Sequence, residues 1–174
     1  MTSSNKEIAV QELNSYKVDC TKRYIAHIES LMRSTKAAAF ELEQLKARCE
    51  PGAIAYDNIA VQTSTTGDSL ERAVLDLVEF RDQLEREQQL GLAQINAFAE
   101  RLSKLKSEGG VIVRLHYRDK TNPEQITLNG ASYPEIGVPL GYSRRTAFRK
   151  RDEGYRELYD NGIPDEFAPK HSAI

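Results

Sequence analysis

Tryptophan is absent from this 174-residue chain, aromatic residues make up 7% of it, and it holds only 10 glycines and 6 prolines. So few aromatics and turn residues speak against a β-sandwich or barrel. Cysteine is equally scarce: Cys20 and Cys49 are the two present. Two are too few for a disulfide framework, and no CxxC or Cys/His cluster suggests zinc. On one continuous helix they would stand about 43 Å apart at 1.5 Å per residue, out of disulfide reach. No run approaches the roughly 18 to 20 apolar residues of a membrane span. The opening MTSSNKEIAVQELNS lacks the basic and then apolar regions of a secretory leader, so a reducing cytoplasm is expected. His27, His116 and His171 lie far apart, and no P-loop, GxGxxG or GxSxG occurs. Neither an enzyme nor a cofactor or metal is expected.

What remains is charge and helical periodicity. Charged residues reach 29% and hydrophobic ones 40%, and the mean hydropathy is -0.56. That balance suits long helices with narrow apolar stripes, in one domain or two small ones. The net charge of -2 hides an asymmetry, because Ser143 to Arg151 holds five basic residues and no acid. A single local patch, rather than the whole chain, is the expected polyanion binder.

Glu7 to Cys49 reads as helix. Tyr24, Ile28, Leu31, Thr35, Ala38, Leu42, Leu45 and Cys49 alternate in steps of four and three, with Thr35 the polar interruption. From Ile8 to Val18 the pattern is looser, so residues 1–20 read as an arm or a separate short helix. Glu50-Pro51-Gly52 stops the helix, and Tyr56 to Thr66 reads as a loop. A second helix starts near Asp68, where Asp68 and Glu71 have capping-box spacing. Its stripe is Leu70, Val74, Leu77, Leu84, Gly91, Ile95, Phe98, Leu102 and Leu105, interrupted by Arg81 and Gln88, and Ser107-Glu108-Gly109-Gly110 is expected to end it. The fold class expected is all-α, with a long antiparallel, coiled-coil-like hairpin over residues 21–108. So narrow a seam on two helices favours a homodimer over a hairpin that buries its own stripe.

Val111 to Lys120 is too short to fix a period, and Thr121 to Gly130 reads as a loop or small hairpin. Residues 161–174 are expected to form a flexible tail. Between them, Ser132 to Leu158 reads SYPEIGVPLGYSRRTAFRKRDEGYREL. Ser132 is a fit N-cap, Pro134 sits in a first turn, and Ile136 and Leu140 fall on one face. Gly137 allows a close helix crossing, Gly141 a left-handed turn, and Ser143 caps a second helix with Ala147, Tyr155 and Leu158 as its apolar face. This is helix-turn-helix spacing, which places a C-terminal helix-turn-helix domain over residues 109–160. Arginine forks at a helix N-terminus suit guanine edges and phosphates, so charge and spacing coincide. A basic helix that merely solvates itself or binds an acidic partner is the alternative.

The run Ile136, Leu140, Gly141, Tyr142, Ser143, Thr146, Ala147 and Arg149 resembles the region-4-like helix-turn-helix of sigma factors. More closely, it resembles the ending of phage-encoded regulators of the ArpU and RinA kind. Arg114 to Asp119 (RLHYRD) resembles that family's R-L-R-Y helix, which tips Val111 to Lys120 toward helix. Three features depart from the family. Pro139 would shorten or bend the first helix by removing the bond to the Glu135 carbonyl. Lys150 stands where an apolar residue is usual, its stem expected over the core with its charge reaching out. The loop from Asp119 to Ser132 is also longer than the family's tight turn.

The resemblance implies a phage or prophage regulator of transcription, a late-gene activator working through host RNA polymerase on double-stranded DNA. The expected DNA-binding residues are Tyr133, Ser143, Arg144, Arg145, Thr146, Arg149 and Lys150. Thr146 and the arginines divide base and phosphate contacts, Ser143 orients the helix, and Tyr133 touches the backbone. A phage terminase small subunit is the alternative, although such subunits usually carry the DNA-binding module first. A coiled-coil adaptor is the third reading.

Overall fold

A computed structural model describes residues 3–49, 67–120, 122, 125–128 and 130–168. The chain is all-α, with helices α1 (Ser3–Cys49), α2 (Gly67–Ser103), α3 (Glu108–His116), α4 (Tyr133–Gly137) and α5 (Arg144–Asp160). Among the described residues the β structure is one isolated antiparallel bridge, Arg118 to Ile126. The expected Tyr56–Thr66 loop and the side chains of the Asp68–Glu71 cap lie outside the described residues. The chain divides into two compact units, Leu31–Gln94 and Met1–Ser30 with Ile95–Ile174.

In the Leu31–Gln94 unit, α1 and α2 pair along the seam that the three-four spacing marks. Ala38 and Leu42 bury against Leu84, with Leu45 half-buried beside them. One step further, buried Thr35 faces Gly91. Rising numbers on α1 thus meet falling numbers on α2, so the pairing is antiparallel. Toward the start of α2 the seam opens: Val74 is 55% and Leu77 45% exposed, contrary to their expected burial. With Leu42, Leu45 and Val78 they line an apolar groove of about 470 Å³, rimmed by Lys46, Arg81 and Glu85.

The other unit packs the rest of α1 and α2 with α3, α4 and α5. Tyr24 meets Phe98 edge-on with ring centres 5.8 Å apart, and Phe98 meets Tyr117 at 5.4 Å. Ile28, Leu102, Leu105, Ile112, Val113 and Leu158 fill the space around them. Three sequence expectations are corrected here. Residues 3–20 are the unbroken start of α1, and the loose pattern from Ile8 to Val18 reflects exposure: Ile8, Val10 and Leu13 all face solvent. Next to them, Thr21 is buried and its hydroxyl donates to the Tyr155 carbonyl at 2.9 Å.

Ser107 to Gly110 also differ from expectation. These residues do not end α2, which stops at Ser103. They open α3, with Ser107 as N-cap accepting from the Gly110 amide at 2.9 Å. The start of the expected flexible tail is ordered as well. Ile163 is buried, Phe167 lies 5.4 Å from Tyr24 and 5.1 Å from His27, and Arg101 Nε donates to the Gly162 carbonyl at 2.9 Å. Ile163, Phe167 and the Arg101–Gly162 hydrogen bond place this stretch against the core. Residues 169–174 lie outside the described residues.

Candidate nucleic-acid interface

The site begins with local capping chemistry. Ser132 caps α4 and Glu135 returns the bond, its carboxylate accepting from the Ser132 amide at 2.6 Å, a capping box with Pro134 in the first turn. Pro139 has the expected effect. The α-helix stops at Gly137 and tightens into a 3-10 turn over Val138–Leu140. Leu140, expected on the buried face beside Ile136, is therefore turned outward and half-exposed.

Gly141 follows with φ of 73°, the left-handed conformation that glycine adopts without strain. The Tyr142 amide closes the turn on the Gly137 carbonyl at 2.9 Å. Ser143 then caps α5, its Oγ accepting from the Thr146 amide at 3.2 Å and lying 2.9 Å from the Thr146 hydroxyl. Where α4 meets α5, a β-carbon on Gly137 would stand 2.9 Å from that of the fully buried Ala147.

The seven residues singled out in the sequence separate into groups. Ser143, Arg144, Arg145 and Arg149 are exposed on the first half of α5, with Thr146 half-buried beside them. The Arg144 guanidinium lies 5.9 Å from the Phe148 ring. Among the described residues neither Arg145 nor Arg149 makes an ion pair.

Lys150 differs from expectation. Its Nζ bridges the carboxylates of Glu108 and Glu153, each at 2.9 Å, so its charge does not reach out. The Glu153 and Glu108 carboxylates hold the Lys150 ammonium above its usual pKa. Lys150 and the Tyr142 hydroxyl, which donates to Glu108 at 3.1 Å, hold Glu108 below its usual value. Arg151 is also engaged, pairing with Asp152 at 2.7 Å and lying over the rings of Tyr133, Phe148 and Tyr155.

Tyr133 does not stand at the surface either. It is buried, stacked on His116 at 4.1 Å, with its hydroxyl 2.9 Å from that of Tyr155. Burial, first of all, pushes its pKa far up. It is a core residue because the long aromatic face of α5 needs a partner from α4, so a contact with the DNA backbone is excluded.

Of the five basic residues in the run, Arg144, Arg145 and Arg149 keep their charges available. Such a surface can bind a polyanion through guanidinium forks. Arg156, absent from the sequence expectation, lines a groove together with Arg149 and Lys22. Its seven-residue spacing from Arg149 was the available signal.

Among the described residues no group of three or more His, Cys, Asp or Glu side chains is placed to hold a metal ion. None of the described helices is long and apolar enough to cross a membrane. No protein family, curated protein or solved structure matches the chain.

Proposed function

We propose that the chain is a sequence-specific DNA-binding regulator of transcription, of the phage late-gene activator type. In it, α4, the glycine turn and α5 act as a helix-turn-helix. The observation that carries this reading is the division of charge on α5. Lys150 and Arg151 are consumed by neighbouring groups, whereas Arg144, Arg145 and Arg149 stay exposed on the half that the Ser143 cap opens. An isolated basic helix that only solvated itself would need no buried Gly137–Ala147 crossing to hold its angle.

Seated in a major groove about 12 Å wide, the first turns of α5 would bring these forks to base edges and phosphates. The apolar groove beside Val74 and Leu77 supports a second copy as partner. Its walls are apolar, so a second copy related by a two-fold axis would cover Val74 and Leu77, which are exposed on the single chain. Two modules then read two half-sites, which one small module alone reads weakly. Action through host RNA polymerase belongs to the same reading and rests on the sigma-factor and ArpU/RinA resemblance.

The test is selection of bound duplexes from random fragments, followed by titration of Arg145→Ala and Arg149→Ala. Each substitution is expected to weaken the selected duplex by about 1–3 kcal/mol while the protein stays folded. Failure to retain any duplex at low salt, or unchanged affinity of both variants across salt, would overturn the assignment.

A further inference from the structure

We propose that α1 supplies a second wall of the DNA contact: the groove between its N-terminal half and α5 is a phosphate-binding cleft. This rests on the DNA-binding reading above and extends it beyond the α5 helix. At about 100° per residue, Arg145, Arg149 and Arg156 fall within about 40° of one another around α5, on a single stripe. The stripe leads from the exposed first turn into a groove of about 350 Å³ whose walls include Gln11, Asn14, Lys22, Arg149, Asp152 and Arg156.

Charge within the groove is unbalanced. Asp19 is paired with Lys22 at 3.4 Å and Asp152 with Arg151 at 2.7 Å. Among the described residues Arg149 and Arg156 have no carboxylate partner. Gln11, Asn14 and Ser15 add amide and hydroxyl donors, the groups that accompany arginine on sugar-phosphate backbones.

The wall is also held in place before any ligand arrives. Thr21 donates to the Tyr155 carbonyl at 2.9 Å, and Lys17 pairs with Asp160 at 2.6 Å. A preorganised cleft loses little entropy on binding. Arg156 stands about 16 Å along α5 from Arg145 at 1.5 Å per residue. With the first turn in a major groove, that distance carries Arg156 away from the base edges that Arg145 reads and toward the flanking phosphates. Arg156 positions the protein, and Arg145 discriminates.

The experiment uses the full chain with the selected duplex and an unrelated one, titrated between about 50 and 200 mM salt. Arg156→Gln and Lys22→Gln are the charge-removing variants. Asn14→Glu places a carboxylate in the cleft without emptying it, and circular dichroism confirms that each variant is folded. The expected result is an equal loss on both duplexes, about tenfold for Asn14→Glu, with the salt slope of Arg156→Gln reduced by about 1. Discrimination between the two duplexes is retained in these variants and lost in Arg145→Ala. Wild-type affinities and salt slopes in all three cleft variants would overturn the cleft and leave the DNA reading intact. A wild-type chain that binds neither duplex at low salt overturns the reading itself.

Discussion

Gly109 and Gly154 meet backbone to backbone where α3 crosses α5: a β-carbon on Gly109 would stand 2.6 Å from the amide nitrogen of Gly154. One on Gly154 would press on the Gly109 carbonyl and stand 2.7 Å from a methyl of Val113. Alanine is a better helix former than glycine by about 1 kcal/mol, so either substitution would stabilise an isolated helix. Here the obstacle is main chain, which cannot rotate away. Gly154→Ala is therefore expected to destabilise the protein by about 1–3 kcal/mol in denaturant unfolding. A raised midpoint would show that the two helices do not cross at these residues.

Thr35 and Gly91 provide a matched pair for a compensation test. A β-carbon on Gly91 would overlap Thr35 Oγ1, yet it would sit at an ordinary 3.6 Å from Thr35 Cβ. The conflict is with one oxygen. Gly91→Ala alone should lower the unfolding midpoint, and adding Thr35→Ala should recover most of the loss. The double-mutant cycle should give a coupling of about 1 kcal/mol or more. Additive effects would mean that α1 and α2 pair in another register.

These two glycine contacts explain which parts of the fold were legible beforehand. Gly141, Ser143, Ser132 and Pro139 act on their own neighbours, through φ, a cap or a missing N–H, so a dozen residues of sequence suffice to place them. The Gly137–Ala147 crossing is local in the same sense. Gly109 and Gly110 look like a helix stop because glycine usually is one. Their cause lies on α5, more than forty positions away in sequence. Lys150 is a mixed case: Glu153, three positions on, and the Arg151–Asp152 pair are local signals, whereas the second partner of Lys150, Glu108, comes from α3 and cannot be read from the basic run.

Leu77 is 45% exposed in the open part of the α1–α2 seam, so a charge there costs the single chain little. Across an apolar two-fold contact the same charge would be buried without a partner. On the homodimer proposal, Leu77→Glu should keep its helicity and sediment at the 19.6 kDa of one chain, and the unaltered protein should sediment at twice that mass. Its affinity for a two-half-site duplex should fall as well, with single half-sites unaffected. An unaltered protein that sediments as a single chain would rule out the homodimer.

Glu157 ties α5 to the start of α3. Its carboxylate accepts from the Lys106 amide at 2.7 Å, the Ser107 amide at 3.2 Å and the Ser107 hydroxyl at 2.6 Å. Burial pushes its pKa up, but these donors, with the Arg114 charge nearby, outweigh burial and hold it below the usual glutamate value of 4.5. A depressed folded-state pKa means that the unfolded chain binds the proton first as the pH falls. The stabilisation is thus complete above the usual value and disappears as the pH drops through the folded one. Glu157→Gln keeps the shape but loses the charge-assisted bonds, a loss of about 1 kcal/mol at neutral pH for a partly solvated group. Thermal melts of both proteins from pH 7 to pH 3 should converge at the acid end. A gap that stays constant over that range would show that the carboxylate charge has no part in holding α3 to α5.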